Sequence, residues 1–367
     1  MRHPAGGRSV NVAQADLDDA AALSAGDPSG MLRTVLDLGA QSRAGYAAGV
    51  AVRAEAGGVA AVAMCGMGGS GISGDVVGAL YRDRLGIPVA VAKGPVLPAF
   101  CGPDTLVVAS SYSGDTAETL ACFDEAAGRG CRLIAVTSGG ALAERARERG
   151  VPVVAVPSGF QPRAAIGYLV LGTLGAFETA GVIPPLGDEV DDASAMLDEL
   201  AAEVGPERPG PENEAKQLAV AIGDRFPVVW GADGVGAVAA TRWKTELNEN
   251  AKVPAFAAAL PELDHNEVVG WSAGMGDRFV LLTLRHEGEH PDVAARFPIS
   301  VEVAESAGMP HREVRARGAT PLAELMSLVM LGSATSVYLA ALRGVDPAPI
   351  DAINRIKAAL AEGPEGS

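Results

Sequence analysis

Residues 60–82, AAVAMCGMGGSGISGDVVGALYR, constrain the fold more than any other stretch of the chain. An apolar run, Ala60–Cys65, breaks at Gly66 into the glycine-rich turn GMGGSG, and a helical pattern starts near Ile72. Strand, tight glycine loop and helix N-terminus in that order make an anion site. The loop N–H groups converge on one point, and the helix dipole favours negative charge there. Residues 66–71 also fit G-x-G-x-x-G, the dinucleotide fingerprint. A dinucleotide fold needs an acid at the end of the next strand, to hold the ribose hydroxyls. Here that strand reads IPVAVAKG and ends in Lys93 and Gly94. The loop is therefore predicted to hold a phosphate carried by a small molecule.

The same grammar continues downstream. TLVVASS, RLIAVTS and VPVVAV are short β-branched runs set off by Gly, Pro or Asp, with helical patterns between most of them. This predicts a parallel sheet covered on both faces. RAAIGYLVLGTLGAFETAG (163–181) closes the unit as a long apolar helix, and residues 31–54 lead into it as another. Residues 183–215 are rich in Pro, Asp and Glu, which reads as a linker carrying one acidic helix around 190–204. The second half then repeats the first. RFPVVWGADGVGAVAA (225–240) mirrors the glycine-loop stretch, DRFVLLTLRHEGEH (277–290) mirrors TLVVASSYSGDT, and ISVEVAES (299–306) is expected to mirror the strand RLIAVTSG. TPLAELMSLVMLGSATSVYLAAL (320–342) mirrors the first closing helix. A length of 367 residues fits two such units.

Composition narrows the partners. The formal charge of −16 and an aromatic content of 4% argue against nucleic acid, so an anionic ligand must be held by a local site. The first residues, MRHPAGGRSVNVAQAD, lack the apolar core of a secretory signal, and Met326–Leu342 reads as a buried core helix, not a membrane span. Cys65, Cys101, Cys122 and Cys131 form no CxxC pair and read as reduced thiols, which points to a cytoplasmic protein. HEGEH (286–290) matches the zinc pattern H-E-x-x-H, but that motif works only on a helix. Here it follows a strand, contains Gly288 and runs into Pro291, so a loop and no metal are predicted.

The chemistry concentrates in two places. SSYSGDTAET (110–119) puts the hydroxyls of Ser111, Ser113 and Thr116 directly after a strand, beside the glycine loop at the sheet edge where α/β crevices lie. The second half has no counterpart, so one phosphate site per chain is expected, in the first unit. The stretches WKTELNENAKVPAF (243–256) and LPELDHNEVVGW (260–271) supply acids and an imidazole. Moving a carbonyl between C1 and C2 of a sugar needs a carboxylate to carry one proton, an acid–base group to open the ring, and a fixed cation for the enediolate. Glu246 and Glu249, three apart on one helix face, are the carboxylate candidates.

GMGGSGISGDVV, SYSGDTAET and the duplicated units resemble sugar isomerase (SIS) domains. ELNENAK and DHNE are similar to the bifunctional phosphoglucose/phosphomannose isomerases of archaea and bacteria, over about residues 28–360. The resemblance implies an α/β fold of two tandem SIS domains, each a doubly wound, flavodoxin-like parallel sheet flanked by helices. Its expected organisation is an N-terminal extension (1–27), a phosphate-binding domain (28–182), the linker (183–215), a domain bearing the catalytic Glu and His (216–362) and a tail (363–367). It implies an aldose–ketose isomerase interconverting glucose 6-phosphate, mannose 6-phosphate or both with fructose 6-phosphate through a cis-enediol, without metal or organic cofactor. A phosphosugar sensor, or an isomerase or epimerase for a different phosphosugar, is the alternative. By motif match the resemblance assigns the proton shuttle to Glu249, ring opening to His265, enediolate stabilisation to Arg163 and a sugar-ring contact to Lys357. The same match gives the phosphate to Gly69, Ser70, Ser111, Ser113 and Thr116. It also implies a homodimer, because the histidine of this superfamily comes from the neighbouring subunit.

Overall fold

The structure is a computed structural model that describes residues 16–362, apart from 55–56, 272–273 and 275. Most of the expected N-terminal extension and the expected tail lie outside the described residues.

Two parallel sheets organise the chain. The first contains β1 (Ala61–Gly66), β2 (Val89–Ala92), β3 (Thr105–Ser110), β4 (Arg132–Thr137) and β5 (Val153–Ala155), in the order β2-β1-β3-β4-β5. The second contains β6 (Phe226–Ala232), β7 (Phe256–Leu260), β8 (Phe279–Arg285) and β9 (His311–Arg315), in the order β7-β6-β8-β9. Both sheets wind the same way, and the second stops one strand short. Every residue of β1 and β3 is buried, which is why these strands read as unbroken apolar runs instead of alternating ones.

Helices cover both sheets: α1 (Leu38–Ala51), α2 (Gly68–Tyr81), α3 (Ala117–Gly128), α4 (Ile166–Thr179), α5 (Gly187–Val204), α6 (Val235–Glu249), α7 (Phe297–Ser306), α8 (Pro321–Leu342) and α9 (Asp351–Glu362). The apolar helix predicted over 31–54 is interrupted at Asp37, which caps a short Met31–Leu36 turn before α1 begins. α1 and α4 pack at backbone contact. A Cβ on Gly49 would stand 2.2 Å from the Gly172 carbonyl oxygen, so only glycine fits there. α5 buries Val190, Ala193, Leu197, Leu200 and Val204, the i, i+3, i+4 stripe of a core-facing helix. α8 is long and apolar enough to cross a membrane by composition, but it lies buried within the protein. The α6 indole of Trp243 seats on α8 where Gly332 offers no side chain, and its Nε1 donates to the Leu328 carbonyl at 2.7 Å. Cys65, Cys101, Cys122 and Cys131 are all free thiols.

One expected strand is a helix. ISVEVAES alternates like a strand, yet residues 297–306 form α7 and bury Phe297, Ser300 and Ala304 on one helical face. Pro298 in its first turn is pre-set for a helix start. The counterpart of β4 is β9, which lies further on in the chain. HEGEH is a loop between β8 and a short helix, as expected from its glycine and proline.

Candidate active site

The two predicted phosphate loops leave the first sheet side by side, because Gly66 and Ser110 are register partners at the ends of β1 and β3. A hydrogen bond ties the loops together: the Tyr112 N–H donates to Ser70 Oγ at 2.9 Å. That bond uses the oxygen of Ser70 as acceptor and leaves its proton to donate. Ser111 Oγ and Thr116 Oγ1 lie 2.9 Å apart, and Gly114 N–H donates to Ser111 Oγ at 3.1 Å. Gly114 has φ 77°, and a Cβ there would collide with the Gly139 carbonyl oxygen. Ser113 is exposed at the tip. Among the described residues, neither α2 nor α3 has a side-chain cap on its first turn, so their leading N–H groups face the crevice uncapped.

A second cluster adjoins the first through the backbone. A Cβ on Gly69 would stand 3.0 Å from the Pro162 carbonyl oxygen and 3.1 Å from Arg163 Cα, so the glycine loop rests directly on the turn carrying Arg163. Arg163 is 2% exposed. Its Nε donates to Asn250 Oδ1 at 2.6 Å, and its Nη2 donates to the carbonyls of Pro347 (2.7 Å) and Ala348 (3.1 Å). Its Nη1 reaches Glu249 Oε2 at 3.3 Å. A guanidinium has five N–H groups, so among the described residues one Nη1 hydrogen remains for a substrate oxygen beside the Glu249 carboxylate. Glu249 itself is 28% exposed, at the opening of the cluster.

The layer beneath is buried and polar. Arg242 pairs with Glu246 and donates to the Arg163 carbonyl. Asn250 Nδ2 donates to Glu246 Oε2 at 2.7 Å and to Ser336 Oγ at 2.8 Å. Burial pushes the Glu246 carboxyl above the usual carboxylate range, against the pull of Arg242 and Arg163. Outside that buried layer, the exposed Lys252, at φ 55°, gives its three ammonium hydrogens to the carbonyls of Glu249, Pro347 (3.1 Å) and Pro349 (2.7 Å). Burial first, and then the Arg163 charge, pull Lys252 below its ordinary value. The Arg163 guanidinium stands beside the Glu249 carboxylate, so a cation adjoins the position where negative charge would develop.

The structure sets the loops that carry Gly69, Ser70, Ser111, Ser113 and Thr116 side by side, against the turn of Arg163, which reaches Glu249. His265 and Lys357 lie elsewhere. Glu249 ends α6 ahead of β7, whereas His265 follows β7 in a short 3₁₀ turn, Glu262–His265, where it is exposed. The five residues of β7 put roughly 13 Å between those two ends of the strand. Lys357 sits on α9, which is exposed along residues 351–360. Sequence reasoning missed Asn250 and the Pro347–Pro349 carbonyls. Asn250 was within reach as the residue after the candidate base, but nothing local links it to Arg163.

Two tandem, doubly wound sheets with a hydroxyl-and-glycine phosphate crevice in the first define a protein of the double sugar-isomerase-domain class. Residues 211–360 match the family model "Bacterial phospho-glucose isomerase C-terminal SIS domain". The chain is 36% identical over 336 residues to the bifunctional phosphoglucose/phosphomannose isomerase of Caldicellulosiruptor bescii, covering 90% of this chain and 99% of that protein. It is 38% identical over 304 residues to the protein of the same name from Aquifex aeolicus, covering 82% of this chain and 90% of that one. A solved structure of a hypothetical protein from Thermus thermophilus shares the fold, with a TM-score of 0.74 at 17% identity over 92% of this chain and 91% of that one. The chain belongs to the bifunctional phosphoglucose/phosphomannose isomerase family.

Proposed function

We propose that the protein interconverts glucose 6-phosphate and mannose 6-phosphate with fructose 6-phosphate. The reading rests on one observation above all: a carboxylate, Glu249, and a buried guanidinium with one free N–H, Arg163, packed against a phosphate loop. The phosphate is held by the open N–H groups of α2 and α3, with Gly69, Ser70, Ser111, Ser113 and Thr116. Glu249 takes the C2 proton of the open-chain aldose. The electron pair moves into a C1–C2 double bond, and the C1 carbonyl oxygen becomes the enediolate oxygen that Arg163 receives. Transfer of the O2 proton to O1 and return of the carried proton to C1 then give the ketose. Glucose and mannose 6-phosphates differ only at C2, which is trigonal in the enediol, so one intermediate serves both.

Ring opening is the task of His265 supplied by a second copy of the chain, in a homodimer whose sites are shared. The exposure of His265, remote from Glu249 of its own chain, supports this arrangement. So do the exposed Ile353 (39%), Ile356 (61%) and Leu360 (76%), spaced along α9 beside Lys357. The test is turnover by EDTA-treated protein given each aldose phosphate separately, with fructose 6-phosphate as the readout. Product from both substrates is expected. Product from neither, with phosphosugar binding intact, overturns the proposal in favour of a sensor or a different phosphosugar.

A further inference from the structure

The chain's progress across the second sheet reverses between β6 and β8, as it does across the first between β1 and β3. Such reversals open a crevice at the carboxyl ends of the strands. In the first sheet that crevice is the phosphate site; in the second it is a cleft of about 500 Å³ between the end of α2 and the start of α6. The anion position there is already filled. By register Asp233 stands where the first unit has Gly68, and Val235 where it has Ser70. Asp233 Oδ1 accepts from Gly234 N–H at 3.0 Å, and Oδ2 accepts from Arg82 at 2.6 Å.

The cleft has an unsatisfied floor. The His286 side chain is 5% exposed, lines the cleft, and has no hydrogen-bond partner on either ring nitrogen among the described residues. Glu324 Oε2 lies 3.9 Å from Nδ1, while Glu324 Oε1 is taken by Glu287 N–H at 2.7 Å. Burial holds the imidazole below its ordinary pKa, so one nitrogen donates and the other accepts. Gly288 keeps the space open: a Cβ there would stand 3.4 Å from His286 Nδ1. Leu80, Val235 and Pro321 give the cleft an aliphatic wall.

We propose that this cleft is a second, non-catalytic binding site for an uncharged polyhydroxylated small molecule, a free hexose or hexitol. A hydroxyl both donates and accepts, so one hydroxyl seated between His286 Nδ1 and Glu324 Oε2, 3.9 Å apart, satisfies both. An anion gains nothing, since Asp83, Asp233 and Glu324 outnumber Arg82 and Arg84 around the opening. The proposal is independent of the reaction assigned to the first crevice.

The experiment is equilibrium binding of radiolabelled glucitol to the full chain, with inorganic phosphate present to saturate the first crevice. One glucitol per chain is expected. Gly288→Val and His286→Phe should each weaken binding at least tenfold while turnover of glucose 6-phosphate stays within twofold, and a thermal melt checks that each variant is folded. No uptake by the wild-type protein overturns the proposal, as does uptake that survives both folded variants or that phosphate displaces. A second inorganic phosphate bound per chain in place of glucitol overturns the uncharged ligand class. Isomerase turnover is read separately, so its failure and the failure of this site are distinguishable.

Discussion

Replacing Asn250 by Ala removes three buried hydrogen bonds with one side chain. Two go to charged partners, Arg163 Nε (2.6 Å) and Glu246 Oε2 (2.7 Å), and one to Ser336 Oγ (2.8 Å). Taking about 1.5 kcal/mol for each charged bond and about 1 kcal/mol for the neutral one gives a loss of about 4 kcal/mol. A stability of roughly 5–15 kcal/mol absorbs that, so the variant should still fold. The catalytic effect has a different origin. Arg163 keeps its Pro347 and Ala348 anchors but loses the acceptor that fixes its plane, so its free Nη1 hydrogen no longer points steadily at the enediolate oxygen. Deleting such a donor outright costs about 10²–10³ in kcat; a donor left in place but loosened should cost about 10- to 100-fold. KM for fructose 6-phosphate should stay within about threefold, because the phosphate loops are untouched. Urea unfolding gives the first quantity, and a coupled steady-state assay gives the other two. A stability loss under about 1 kcal/mol, or an unchanged kcat, would refute the reasoning.

Further tests address the other residues. Glu249→Gln should lower kcat about 10³-fold or more while phosphosugar binding survives in calorimetry, and near-normal turnover would move the base elsewhere. Glu249→Gln and His265→Ala, each inactive alone, should regain about a quarter of wild-type activity when mixed and re-equilibrated, because half the dimers are mixed and each has one complete site; no recovery would argue that both residues serve one chain. His286 is depressed chiefly by burial, with Glu289 and Glu324 pulling it up and Arg285 pushing it down. A folded value below the unfolded one means its contribution is fully present above about pH 6.5 and is lost as pH falls through that value toward the folded one. His286→Phe should therefore flatten the fall in unfolding midpoint between about pH 7 and 5, and parallel curves would contradict the depression.

The pairing of the glycine loop with the hydroxyl loop is legible in the sequence because glycine spacing and strand-end hydroxyls are local signals. Gly66 and Ser110 become neighbours through the parallel register, which the alternation of strands and helices already implies. Two kinds of feature are not legible. Alternating Val and Ile in ISVEVAES imitate a strand, and only the tertiary burial of Phe297, Ser300 and Ala304 decides for a helix. The Arg163–Asn250 bond joins residues 87 apart in sequence, and the Pro347 carbonyl lies further still, so no window of the chain contains that arrangement.

The contact between Gly69 and the Arg163 backbone has a consequence for what the crevice can accept. One wall is the loop proposed to hold the phosphate and the other presents a carboxylate and a guanidinium, and the two meet at backbone contact with no side chain between them. A side chain on Gly69 would push the two walls apart, since a Cβ there stands 3.0 Å from the Pro162 carbonyl oxygen. On the proposed function the substrate spans the two from phosphate to carbonyl, so a pentose 5-phosphate, one carbon short, should turn over far more slowly than glucose 6-phosphate in the same coupled assay. On that reading, the chain length accepted depends on a missing methyl group on the glycine loop, at a residue given no part in proton transfer.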